Sequence, residues 1–290
     1  MFSKALVATD LSEMSDRVIP ALKGLRSIGT KEMLLLHCMN MRDVGPFAER
    51  LMQLATPALK RQKTMLEQAG FQVEDKIALG LPEIEINRQA VEHQCSLIAL
   101  GSTGTSMSDE IRLGGVANAV LHSATRPVLL VRLHVQGKDV VSTPEAWSCR
   151  CLDHVLFPTD FSDNAERAFE YVRHLARAGA KTITLLHVQD RTKIDPHLKD
   201  RLEEFNRVDR ERMERLKKEL AEDGASQVQI EIVYGLPKAE IIARARPPVS
   251  LVVLGSQGRG FLAELFLGSV SLAVLRHAET PVLVVPALQS

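Results

Sequence analysis

The chain is written twice. Lys4-Ala-Leu-Val-Ala-Thr-Asp10-Leu-Ser12 reappears 150 residues on as His154-Val-Leu-Phe-Pro-Thr-Asp160-Phe-Ser162, and Met33-Leu-Leu-Leu-His37 reappears as Ile183-Thr-Leu-Leu-His187. Gly80-Leu81-Pro82 matches Gly235-Leu236-Pro237, Leu97-Ile-Ala-Leu-Gly101 matches Leu251-Val-Val-Leu-Gly255, and Arg126-Pro-Val-Leu-Leu-Val131 matches Thr280-Pro-Val-Leu-Val-Val285. A duplication on this scale means that one unit must fold twice, so any fold assigned to one half binds the other. The offset drifts from 150 to 155 between matched segments, which places the insertions in the middle of each unit, where surface segments tolerate them.

Within a unit, short apolar runs of strand length alternate with longer stretches of helical character, the pattern of a parallel sheet with crossover helices. In the second unit this predicts strands near 154–158, 182–188, 228–233, 251–254 and 281–285. Ser162 is placed to cap a helix over about 163–178 that Gly179 closes, and a long charged helix covers 197–222 before Gly224. Pro237 suits the first turn of a shorter helix ended by Pro247-Pro248, and a last helix runs from Gly268-Ser269 to about His277. The first unit follows the same plan with five strands and four helices. The fold class is therefore α/β with two repeated, doubly wound, Rossmann-like sheets. The domains expected are 1–133 and 153–290, with 134–152 as a linker that lacks a clear period.

Lys+Arg and Asp+Glu balance at 36 each, so no overall field recruits nucleic acid or an anionic membrane. Apolar runs fall short of the roughly 18 residues of a membrane span, and MFSKALVATD enters a strand-like pattern at once, so the expectation is a cytoplasmic protein. Four cysteines, Cys38, Cys95, Cys149 and Cys151, are too few and too irregular for a disulfide framework. Cys149-Arg150-Cys151 has no second ligand pair nearby to make a metal site.

Chemistry concentrates at matched places. Ligands of open α/β sheets bind outside the carboxyl ends of the strands, where strand order reverses. Asp160 and Asp10 end the first strand of each unit, where a carboxylate can accept from ribose hydroxyls, hold a metal ion, or simply cap a turn. Val188 and Cys38 follow the second-strand histidines His187 and His37, which read best as structural; their backbone could meet an adenine edge. After the fourth strand the second unit carries Gly255-Ser256-Gln257-Gly258, nine residues, then Gly268-Ser269. Gly255 and Gly258 let backbone approach a ligand, Ser256 and Gln257 add donors, Arg259 offers a counter-charge, and Gly268-Ser269 opens a helix whose N–H groups and dipole favour an anion. The first unit keeps Gly101, Gly104 and Gly114, but Gly115 stands at the hydroxyl position and Asp109 and Glu110 lie in its spacer beside Arg112, so a weaker site is expected there. No G-x-x-x-x-G-K-[ST] and no G-x-S-x-G occurs, and no catalytic base is assignable. The long helix, rich in Arg, Lys and Glu, reads as a solvated face with i,i+4 pairs.

By these residues the chain resembles the universal stress protein family, as a tandem two-domain member. The resemblance covers both units and implies five-stranded parallel sheets in the order 3-2-1-4-5. It implies ATP or another adenine nucleotide as ligand, with Mg as a candidate companion: Asp160 at the ribose or metal, Val188 at the adenine, Gly255, Gly258, Gly268 and Ser269 at ribose and phosphates. It also implies pairing through the last strands, 127–131 with 281–285 inside the chain, and a further homodimer. The leading expectation is a stress-response regulator that binds nucleotide mainly in the second domain; a slow ATPase or phosphoryl-transfer protein using Asp160, and a nucleotide-free interaction module, remain the alternatives.

Overall fold

The computed structural model describes residues 1–40, 45–102, 113–132, 134–136, 139–142, 150–195, 202–258 and 267–287. The chain divides into two compact units, Met1–Cys149 and Arg150–Leu288.

The first unit begins with β1 (Lys4–Thr9), α1 (Glu13–Leu22) and β2 (Glu32–Met39), then α2 (Ala48–Gln68), β3 (Gln72–Leu79), α3 (Pro82–Glu92), β4 (Leu97–Gly101), α4 (Gly115–Ser123) and β5 (Val128–Val131). Its main sheet is parallel throughout, in the order β3-β2-β1-β4-β5. A 3-10 turn, Lys23–Ile28, extends α1; Pro20 near the end of that helix lacks the N–H an α-turn needs, and the chain tightens past it. Two short strands, β6 (His134–Gln136) and β7 (Asp139–Ser142), pair antiparallel inside the segment expected to be an aperiodic linker.

The second unit repeats the plan with β8 (His154–Pro158), α5 (Asp163–Arg177), β9 (Thr182–Asp190), a four-residue α6 (Arg191–Ile194), α7 (Leu202–Glu222), β10 (Gln227–Gly235), α8 (Pro237–Arg244), β11 (Leu251–Gly255), α9 (Ser269–His277) and β12 (Val282–Val285). Its parallel order is β10-β9-β8-β11-β12, the same 3-2-1-4-5. The inner strands form because both their faces are covered. Leu251–Leu254 and Val282–Val285 are buried at every position, the continuous apolar run expected of strands between two helical layers. Helix α5 follows its own signals: Ser162 accepts from Ala165 N at its start, Asp163 and Glu166 sit in the first turn against the positive end of the dipole, and Gly179 takes the left-handed turn (φ 94°) that releases the chain. Its inner face sends Phe169 onto Phe157 of β8, ring centres 5.6 Å apart.

The consequence for function is topological. The chain leaves β8 toward β9 on one side and returns to β11 on the other, so the helices that follow β8 and β11 diverge onto opposite faces. A crevice opens between the carboxyl ends of these two strands. β1 and β4 do the same in the first unit.

Candidate functional site

At the end of β8 the chain turns through Thr159-Asp160-Phe161-Ser162. Thr159 Oγ1 accepts from Phe161 N (3.0 Å), while Asp160 Oδ1 accepts from Ser162 N (3.1 Å) and from Ser162 Oγ (2.6 Å). Between them Phe161 is left-handed at φ 58°. The first unit reproduces the turn with Thr9, Asp10 and Ser12, and Leu11 is left-handed at φ 60°. A bulky residue in that region costs about 1–3 kcal/mol and persists only where the surroundings over-determine it. Its presence in both copies makes it part of the repeated design. The turn-capping reading of the aspartate is met by Oδ1, while Oδ2 lies on the side of the loop after β11.

That loop shows what its glycines allow. None of Gly255, Gly258 and Gly268 has a left-handed backbone. What Gly255 and Gly258 supply is space. A Cβ on Gly258 would sit 2.5 Å from Asp160 Oδ2, and one on Gly255 would sit 2.9 Å from Asn164 Nδ2 and 3.0 Å from the Asn164 carbonyl oxygen. The loop is drawn tight by its own backbone: Ser256 N donates to Val285 O (2.8 Å) and Gly268 N to Ser256 O (2.7 Å). Ser256 is buried, its Oγ accepting from Ala287 N (3.1 Å), so its hydroxyl braces the loop from within. Ser271 Oγ donates to Gly255 O (2.8 Å) and anchors the first turn of α9 to the end of β11.

Gly268 is the N-cap of α9 with extended backbone (φ −69°, ψ 151°) and no side-chain cap. The first N–H groups of α9 accordingly have no intrahelical acceptor, and they open beside an exposed Ser269. In the first unit Gly114 caps α4 in the same way (φ −63°, ψ 153°), Gly114 N donates to Ser102 O (2.8 Å), and Gly115 is exposed with nothing within 4 Å of an added Cβ. Gly101 ends β4. Gly104, Asp109, Glu110, Arg112 and Arg259 lie outside the described residues, as does Cys149.

The β9 side of the crevice is built around His187. Its Nδ1 lies 2.8 Å from the Thr159 carbonyl, which can only accept, so Nδ1 carries a proton; Nε2 lies 3.4 Å from Asp209 Oδ2 of α7. Gln189 Nε2 donates to the same carboxylate (2.8 Å), Phe161 leans on the imidazole with ring centres 4.7 Å apart, and the Arg212 guanidinium lies 5.2 Å from the Phe161 ring centre. Burial pushes the Asp209 carboxyl up, but hydrogen bonds from His187 and Gln189 and the charges of His187 and Arg212 outweigh it and hold it below the usual carboxylate value. His187 is thus a strut between β8, β9 and α7. The expectation that α7 is simply a solvated face gives way here: Arg207–Glu211 and Lys218–Glu222 are exposed i,i+4 pairs, yet Asp209, Met213 and Leu220 face inward.

Val188 follows His187, half-buried at the carboxyl end of β9. Its counterpart Cys38 is half-buried too, with a thiol pushed up to about 12 by burial first and then by the charges of Glu85 and Glu83. His37 Nδ1 meets Thr9 O at 2.9 Å, as in the second unit. Below it the partners change: Thr9 Oγ1 donates to Gln62 Oε1 (2.7 Å) and Gln62 Nε2 to Asp16 Oδ1 (2.7 Å).

Asn164, Asp209 and Gln62 had no sequence signal pointing to them. Each acts over a separation of 20 to 93 residues, across elements whose packing a linear pattern does not reveal. Among the described residues no group of three or more His, Cys, Asp and Glu side chains could hold a metal ion, and no helix is long and apolar enough to cross a membrane. The arrangement brings the side-chain-free backbone of Gly258 against the Asp160 carboxylate, with the uncapped N-terminus of α9 following the same loop.

Comparison with known proteins identifies relatives of the chain. The sequence model of the Universal stress protein family matches residues 1–132 and 152–286. A universal stress protein of Methanocaldococcus jannaschii is 36% identical over 151 residues, spanning 45% of this chain and 93% of that protein. One from Mycolicibacterium smegmatis is 24% identical over 298 residues, spanning 97% of this chain and 96% of its own. The crystal structure of a universal stress protein from Archaeoglobus fulgidus superimposes with a TM-score of 0.73 at 26% identity, covering 98% of each chain.

Proposed function

The chain belongs to the universal stress protein family, and from that premise we propose that it is a cytoplasmic regulatory protein of the stress response that binds ATP or a related adenine nucleotide, mainly in its second domain. The observation that carries this reading is the gap between Gly258 and Asp160, too narrow for any side chain, beside the open first turn of α9. Backbone N–H groups at a helix start favour phosphate. Asp160 is the acceptor for ribose hydroxyls, and Val188 packs on the base. Gly255 and Ser256 shape the loop from behind; Gln257, Gly258, Gly268 and Ser269 line its outer side. A divalent ion such as Mg, where it accompanies the phosphates, would share Asp160 and supply charge neutralisation.

Binding is the proposed output. The first domain offers the same frame through Asp10, Cys38, Gly101, Gly114 and Gly115 but lacks the hydroxyl of Ser269. Mass spectrometry of nucleotide released from purified protein tests the reading. Wild type should yield an adenine nucleotide, Gly268→Asp should release far less, and Gly114→Asp should release nearly as much as wild type. A protein that neither carries nor takes up any adenine nucleotide would favour an interaction module instead. Steady phosphate release that vanishes in Asp160→Ala would favour the slow ATPase.

A further inference from the structure

We propose that Asn164 is the positioning residue of the glycine loop in the second unit, and that the methionine in its place in the first unit, Met14, contributes to the inequality of the two sites. The proposal rests on the nucleotide reading of this site for its consequence, though not for its geometry.

Asn164 is the second residue of α5 and is 8% exposed. Its Nδ2 lies 3.2 Å from the Gln257 carbonyl oxygen and 3.4 Å from Ser256 Oγ. The orientation of the amide follows from its partners, because a carbonyl can only accept and the atom facing it must be the donor. Oδ1 therefore points the other way, where it is buried without a partner. An asparagine kept buried with half its amide unsatisfied is explained by what the other half holds.

What it holds is a peptide plane. Gln257 C=O and Gly258 N–H belong to one trans peptide unit and point in opposite directions. Drawing the carbonyl inward onto Asn164 turns the Gly258 N–H outward, at an exposed residue directly against Asp160. Gly255 then acquires its reason: a side chain there would crowd both Asn164 Nδ2 and the Asn164 carbonyl oxygen, so this glycine makes room for the first turn of α5. Asn164 also ties the two strands that bound the crevice, since α5 continues β8 and the loop continues β11. Gly101 is retained in the first unit, but a methionine thioether at 14 has no N–H to donate.

Asn164→Asp tests this with little change of shape, and an acid in the first turn of α5 suits the helix dipole. Hydrogen–deuterium exchange of the full-length protein without nucleotide gives the first readout. Exchange in a peptide spanning 255–258 should quicken in Asn164→Asp while peptides from β8 and β12 stay protected. Unchanged exchange in that peptide overturns the proposal whether or not nucleotide binds. ATP titration gives the second: where wild type binds, Asn164→Asp should bind about tenfold more weakly, the loss expected of one buried hydrogen bond, and Asn164→Ser, which retains a donor, should recover part of it. Equal affinity in wild type and Asn164→Asp refutes the positioning role while leaving the nucleotide reading intact. A wild type that binds no nucleotide defeats that reading, and the exchange data still decide on Asn164. Met14→Asn should strengthen ATP binding in the first unit, and unchanged affinity there would remove Met14 from the account of the inequality.

Discussion

Ser269 and Gly115 differ by one hydroxymethyl group at the first position of equivalent helices. Both are exposed, and both follow a glycine cap whose backbone angles agree within a few degrees. Because the backbone donors are matched, the hydroxyl can be evaluated alone. A hydrogen bond to a charged phosphate contributes about 1.5–3 kcal/mol, or roughly 10- to 150-fold in affinity. Ser269→Gly should weaken nucleotide binding by an amount in that range. Gly115→Ser is the more informative variant: an added Cβ there meets open space and the backbone is not left-handed, so it should fold undisturbed and strengthen binding in the first unit. Calorimetric titration resolving two classes of site reads both. If neither substitution moves the affinities, the hydroxyl is not where the sites differ, and the Asn164–Met14 contrast must bear more of the difference.

Among the elements, α7 shows what a sequence reveals and what it conceals. Strand β8 occupies 154–158 and α9 runs to His277 as the apolar runs and caps indicate, because these signals are local. The short α6 is too brief to have a period, and the β6–β7 hairpin lies in a stretch without one. The glycines were legible as positions, whereas their reason, room for Asp160 and Asn164, belongs to packing. Asp209 was hidden among the exposed charges of its helix. Its carboxyl lies below the usual carboxylate value, near 3.9, so the stability it contributes is present above that pH and is lost as pH falls through its folded value. Asp209→Asn should lower stability at pH 7 by about 1–2 kcal/mol through its weakened contacts to His187 and Gln189. Urea unfolding at a series of pH values should show the difference from wild type shrinking below about pH 4. A gap that stays constant from pH 7 to pH 3 would mean that the charge of Asp209 contributes nothing.

For the molecule as a whole, duplication supplied two copies of one frame, and the differences between them are of a kind that a balanced total charge conceals. Lys238 in the first turn of α8 stands where the first turn of α3 has Glu83, while Glu240 and Glu85 are matched and each is paired with an arginine of its own helix, Arg244 and Arg88. The field of the first unit is visible on Cys38, whose thiol rises to about 12 by burial and then through Glu85 and Glu83. On the nucleotide reading, the carboxylates that disfavour a thiolate at the end of β2 would also oppose a phosphate at that strand end, since both penalties scale with the local negative potential. Two observables should therefore move together. Glu83→Lys should speed alkylation of Cys38 at alkaline pH by lowering its thiol, and should tighten ATP binding in the first unit, most clearly at low salt, where a half-buried surface charge is least screened. Faster alkylation with unchanged ATP affinity would show that the field at Cys38 does not extend to the phosphates, leaving the hydroxyl at 269 and the amide at 164 as the sources of the asymmetry.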